Sequence, residues 1–215
     1  SGTSANLTGK LVIGESGGTI TGNGTMTLAA TNGIGIDTSI TAAGNIALDG
    51  DSNNSSQRGD GITLGSGVSL TSSDGTITLD STNGGITAPG AVTLDATEVI
   101  TLNDNFTASG NIVIKSNGLA INGSLLSSGT NSTTIQTAVA GTTIGLCGTT
   151  CSGSYGFSLT STEFAKITAG SLIVGDSNNG DITVEGVTTT IDNVTLNATN
   201  SNGRSITFNT ESSSF

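Results

Sequence analysis

The chain has 215 residues, a net charge of −11, no His, no Trp and only 5 Lys and Arg together. Those five cations are scattered from Lys10 to Arg204, which excludes a basic stripe for nucleic acid or an anionic membrane surface. No apolar run approaches the roughly 20 residues needed to cross a bilayer as a helix, and the opening SGTSANLTGK is expected of a segment excised from a longer precursor.

In chain order, a Gly-led apolar doublet returns about every 20 residues, as in repeat architectures. It reads GTMTL from Gly24, GNIAL from Gly44, GTITL from Gly75, GAVTL from Gly90 and GNIVI from Gly110. Apolar residues alternate within each unit, the mark of strands with one buried face. The first clear unit points Met26 and Leu28 inward, then Ile34 and Ile36, then Ile40. Another gives Val92 and Leu94, then Ile100 and Leu102, then Phe106; the next gives Ile112 and Ile114, Leu119 and Ile121, then Leu125. Gly, Asn, Asp and Ser separate these short strands and suit turns. Three strands per unit predict an all-β chain, a parallel β-helix with rungs about 4.8 Å apart. The whole of 1–215 reads as a single β-helical segment, less regular over 127–170. Beyond that stretch the pattern resumes, with Leu172, Val174, Ile182, Val184, Val194, Leu196, Ile206 and Phe208. The phenylalanines of the second half are expected to stack in a wider core.

The departures from this register are the candidate functional sites. DGDSNNSSQRGDG lengthens one strand connection between Leu48 and Ile62 and is expected to protrude as a loop. Asp49, Asp51, Asn53, Ser55, Gln57 and Asp60 follow the 1, 3, 5, 7, 9, 12 spacing of a calcium loop. The calcium ligands expected there are Asp49, Asp51, Asn53, Ser55 and Asp60, with Asn54 where such loops carry Gly and Asp60 in place of Glu. Arg58-Gly59-Asp60 also spells an integrin-binding tripeptide. Aligning the doublets predicts an outward ladder of Asp49, Asp80 and Asp95, with Lys115 next in the column and paired with Asp95. Cys147 and Cys151 are the only thiols. Two Cys without His or a third Cys point to a local disulfide, or to free thiols, rather than zinc.

Catalytic signals are sparse. No Ser or Cys has a base beside it in sequence, and Glu98, Asp104, Glu163 and Glu185 read as solvated carboxylates. An ice-binding face would need a regular Thr column, whereas the outward middle column reads Thr27, Ala47, Thr78, Thr93 and Val113. Asn-x-Ser/Thr sequons, among them Asn23, Asn105, Asn131 and Asn197, follow from a composition rich in these residues.

The GNIxL and GxxTL units over 18–126, and EFAKITAGSLIVGDSNNGDITVEGV from Glu163 to Val187, resemble the repeats of filamentous haemagglutinin-like exoproteins, large secreted adhesins of Gram-negative bacteria. The resemblance implies a right-handed parallel β-helix, export across the outer membrane and an adhesive or structural role at the bacterial cell surface. No family catalytic residue maps onto the chain. The expectation is therefore a non-enzymatic rod that stacks end to end with other copies or with flanking repeats and presents lateral loops to host or cell-surface glycans or receptors. A calcium- or carbohydrate-binding module is the alternative, and a polysaccharide-active or ice-binding β-helix comes after it.

Overall fold

The computed structural model describes residues 3–14, 18–54, 61–82, 84–199, 203–209 and 212–215, with the backbone alone for 3–7. Every strand pairing among them is parallel, and the strands fall into four stacks, each one face of a β-helical rod. The first stack runs Thr3–Leu7, Met26–Ala30, Ile46–Asp49, Ile77–Asp80, Val99–Leu102 and Gly118–Ile121. The second starts at Leu11–Ile13 and passes through Ile34–Ile36, Ile62–Leu64, Ile86–Ala88, Phe106–Ala108 and Leu125–Ser127 to Ile167–Thr168. The third starts at Thr19–Gly22 and passes through Ser39–Ala42, Ser69–Ser72, Val92–Ala96, Ile112–Lys115, Ser132–Gln136 and Ser171–Val174 to Val194–Leu196.

Alternation explains why these segments are strands. On the first face Ile46, Ile77, Ile100 and Leu119 align one above another, and Leu48, Leu79, Leu102 and Ile121 form a second inward column. All eight are buried. Like side chains stacked in register exclude water along a continuous core, and burying each aliphatic contributes roughly 1.5–3 kcal/mol. Where an inward strand end meets a corner, the residue is small: Ala42, Ser72 and Ala96 on one face, Ala88, Ala108 and Ser127 on another. Buried Ser72 and Ser127 also satisfy corner carbonyls, donating to those of Gly44 and Gly110 at 2.9 Å.

The Gly-led doublets divide between two faces. Those from Gly24, Gly44 and Gly75 open strands of the first face, whereas those from Gly90 and Gly110 open strands of the third. Both faces begin after a tight corner where successive coils touch. A Cβ on Gly110 would lie 2.5 Å from the Gly90 carbonyl carbon, so both corners demand the same residue. The aligned aspartate ladder is corrected accordingly. Asp49 and Asp80 are direct neighbours, but Asp95 lies on the third face, opposite Lys115. Thr27, Ala47 and Thr78 likewise form one outward column, and Thr93 and Val113 another.

The less regular stretch is a reordering of strands. In the fourth stack the order is Phe157–Thr160, Ile144–Cys147, Ile182–Glu185, Ile206–Phe208, so the later strand of the first two sits on the earlier coil side. Phe157–Thr160 packs beside Gly118–Ile121 without joining its ladder. One turn of helix, Ser161–Phe164, follows, with the Glu163 carboxylate accepting from Thr160 N at 2.6 Å and Thr160 Oγ1 at 3.0 Å. The Lys166 ammonium then donates to the Ile121 carbonyl. The expected phenylalanine stack is absent: Phe106, Phe157 and Phe164 are buried in the common core without pairing their rings, and among the described residues the only ring pair is Phe208–Phe215, edge-on at 6.3 Å.

Candidate functional site

Two departures from the regular coil gather polar chemistry. The first is the long connection between Leu48 and Ile62. It is spanned by Gly50 and Gly61, whose backbones are so close that a Cβ on Gly50 would lie 2.7 Å from the Gly61 carbonyl oxygen. Both are corner residues of the coil: Gly33 N donates to the Gly50 carbonyl and Ile34 N to that of Gly61. Gly50 and Gly61 thus close the corner of the coil between them, and Ser52 N still donates to the Ala30 carbonyl of the neighbouring coil. Asp51 N donates to Asp49 Oδ1 at 3.1 Å, Asn54 N to the Asp51 carbonyl, and Thr82 Oγ1 to Asn54 Oδ1 at 3.1 Å. Asn54 takes φ 50°, the left-handed conformation that Asn tolerates best among non-glycine residues. Asp51 is buried, while Asn53 and Asn54 are exposed.

Carboxylates converge at this corner. Asp80 is the coil neighbour of Asp49, and Asp104 Oδ2 accepts from Ser81 N at 2.5 Å. Burial raises Asp49 and Asp104 above the usual Asp value; a backbone N–H bond opposes this in each, and the charges of Asp80 and Asp51 add to it. A polar ladder continues the column, with Asn103 Nδ2 donating to Asp80 Oδ2 at 2.9 Å and Asn122 Nδ2 to Asn103 Oδ1 at 2.8 Å. Of the expected calcium ligands, Asp49, Asp51 and Asn53 lie here; Ser55 and Asp60, with Gln57 and Arg58, fall outside the described residues. Among the described residues no three acidic or thiol side chains are gathered tightly enough to hold a metal ion.

The second departure is the cysteine loop. Cys147 and Cys151 form a disulfide, and no cysteine is free. The loop 148–156 folds back over the outer face of its own sheet, and the Tyr155 ring lies on Gly145, where a Cβ would come within 2.1 Å of the ring. Under it sits Glu185, 3% exposed. Its carboxylate accepts from Ser152 N and Ser152 Oγ at 2.9 Å each, from Asn209 Nδ2 at 3.1 Å and from the Tyr155 hydroxyl. These bonds, the tyrosine's foremost, hold Glu185 below the ordinary Glu value against the burial that opposes them. The Tyr155 phenol is raised, by burial first and then by its bond to Glu185. Glu185 is thus a buried structural carboxylate, contrary to the solvated reading.

No family model, curated protein or solved structure matches the chain. Sequence reasoning took Glu185 for a solvated carboxylate and passed over Tyr155 altogether. Their pairing depends on Cys147 lying opposite Glu185 across two strands far apart in sequence. The Thr160-Ser161-Thr162-Glu163 capping pattern was the one local signal for the helical turn beside them.

Proposed function

We propose that this chain is a non-enzymatic structural and adhesive segment of a secreted bacterial cell-surface fibre, a stiff rod that continues end to end with flanking repeats or further copies and presents loops laterally. The observation that carries this reading is that insertions occur without disturbing the core. The corner closes from Gly50 to Gly61 despite the residues inserted between them, and Leu48 and Ile62 on either side remain in their inward columns. A coil that accepts lateral loops at its corners and keeps its register suits display, since each repeat answers only to its neighbours. The acidic charge favours solubility of an extended surface and disfavours nucleic acid. The test is retention of chain-coated beads on cultured epithelial cells under flow. Retention is expected to exceed that of uncoated beads and to fall when 51–60 is replaced by Gly-Gly; equal retention of coated and uncoated beads removes the adhesive role.

The calcium-loop spacing of Asp49, Asp51, Asn53, Ser55 and Asp60 supports a second reading, in which the connection between Leu48 and Ile62 takes calcium. Its expected outcome is a rise in Tm on adding millimolar calcium that Asp49→Asn abolishes. An unchanged Tm in calcium eliminates it.

A further inference from the structure

We propose that the Cys147–Cys151 disulfide is a redox latch that holds the loop 148–156 closed over Glu185 and uncovers that face of the rod when it is reduced. The disulfide joins the end of the strand Ile144–Cys147 to the loop that leaves it. Ile144 and Leu146 point into the core, so Gly145 and Cys147 belong to the outer face, yet all four are buried. Their cover is the loop: Tyr155 over Gly145, Cys151 bonded to Cys147, and Ser152 and Tyr155 both on the carboxylate of Glu185. Glu185 stands directly opposite Cys147 in the ladder, so the covalent and polar attachments lie side by side.

Elsewhere the loop is tied at its two ends, with Gly148 N donating to the Glu185 carbonyl at 2.7 Å and the Gly148 carbonyl accepting from Ser161 N at 2.9 Å. Thr149, Thr150, Ser152, Gly153 and Ser154 are exposed. Gly156 N donates to Thr143 Oγ1 at 3.2 Å, at the loop's far end. Once the covalent tie is lost, the Ser152 and Tyr155 bonds to Glu185 are what hold the middle of the loop, and a short, mostly exposed loop with no apolar core of its own opens more readily than when the disulfide fixes its start. The strands beneath are held independently, because Ile144–Cys147 is paired on both edges, by Phe157–Thr160 and Ile182–Glu185. Reduction therefore opens the loop without dissolving the coil.

The chemistry balances with an added dithiol. Its thiolate attacks one sulfur, the S–S bond breaks, and two electrons pass to the protein. Cys147 and Cys151 each end as a thiol after taking a proton, and the reagent leaves as its cyclic disulfide. Cys151 is the half-buried partner and Cys147 the buried one, so attack begins at Cys151. Opening removes three of the four donors named for Glu185 and leaves Asn209.

The chain carries its own reporter, since Tyr155 is the only tyrosine and there is no tryptophan. Alkaline titration of the phenol, followed by near-ultraviolet absorbance, is expected to give a midpoint above the ordinary value of about 10 in the oxidised protein, falling toward it in protein reduced with dithiothreitol and alkylated. The Cys147→Ser/Cys151→Ser variant is expected to match the reduced state. In parallel, amide exchange over 148–156 is expected to quicken about tenfold or more on reduction, while strands from 26 to 136 keep their protection. Three results overturn the latch: an unchanged Tyr155 midpoint and unchanged exchange after reduction; resistance to excess dithiothreitol under native conditions; or loss of protection along the whole rod, which makes the disulfide a global staple.

Discussion

A polar device that recurs among the described residues is a single Asn or Asp set just before a strand. Asn45 Oδ1 accepts from Thr76 N at 3.1 Å, Asn105 Oδ1 from Ser124 N at 3.0 Å, Asn111 Oδ1 from Ser132 N at 2.9 Å, and Asp181 Oδ1 from Ser205 N at 2.8 Å. Each partner lies one coil further along the rod. The corner amides cannot all reach a neighbouring strand carbonyl, so a short side-chain acceptor takes that place, and each such bond contributes about 0.5–1.5 kcal/mol. This is why Asn recurs in the GNI units. Asp80 shows the same chemistry overloaded with charge. It stands opposite Asp49, and like charges directly opposed in a sheet cost up to about 1 kcal/mol. Asp80→Asn keeps one oxygen for Asn103 Nδ2 to donate to, gives up the longer 3.3 Å bond from Thr82, whose hydroxyl also reaches Asn54 Oδ1, removes the repulsion, and is expected to raise Tm at neutral pH. The sign of the pH dependence follows from the raised Asp49 and Asp104. The folded state binds those protons more tightly than the unfolded chain does, so their cost is present at neutral pH and is relieved as pH falls through the raised values toward the ordinary Asp value. Asp80→Asn is therefore expected to stabilise more at pH 7 than at pH 3, measured by thermal melts at both. An equal effect at the two values refutes the repulsion.

Strands on the rod differ in how well their inward positions fit. Ser132–Gln136 places Thr133 in the column of Val92, Ile112 and Leu172, fully buried. Its hydroxyl has no hydrogen-bond partner among the described residues. A buried hydroxyl without a partner costs about 1–3 kcal/mol. Thr133→Val replaces that hydroxyl with a methyl group of similar size and is expected to raise stability by about 1 kcal/mol in chemical denaturation, with an unchanged m-value. A loss of stability would mean that the hydroxyl is satisfied. The neighbouring reordered pair shows what a strand gains from its stack. Phe157–Thr160 is placed by Ile144–Cys147 on one side only, and the adjoining edge of Gly118–Ile121 is left to the Lys166 ammonium at the Ile121 carbonyl. A lysine at an unpaired strand edge also blocks pairing with a foreign strand.

Along the rod as an assembly, the second and third faces run unbroken past the reordered region, through Leu125–Ser127 to Ile167–Thr168 and through Ser132–Gln136 to Ser171–Val174. Only the first face is interrupted there, so two ladders span the joint while one does not. Coil size varies as well. The step from Ile46 to Ile77 is half as long again as that from Met26 to Ile46, because residues are inserted between Gly50 and Gly61 at a corner. Repeat proteins accept such additions because coil contacts are local and a loop outside the stack breaks none of them.

Met26, Leu28, Ile34, Ile36 and Ile40 declare their strands and inward faces locally, because alternation with small corner residues has a single reading as a half-buried strand. The same holds for Asp95 with Lys115, which meet at 3.0 Å on neighbouring coils as their spacing predicts. Which face a strand occupies was not legible. The doublets from Gly75 and Gly90 look alike but belong to different faces, since every corner with close coil contact demands Gly and leaves the same local signature. Nor could Glu185 be distinguished from a solvated carboxylate, because its burial is made by Ser152 and Tyr155, which reach it only after the Cys147 loop folds back. Period-two patterning along the chain determined that this protein is a stack of short parallel strands, because side-chain alternation is a local property of extended backbone. The tertiary structure decided the stacking order, the face of each strand and the partners of each buried charge, because those depend on contacts between coils, and the coils differ in length.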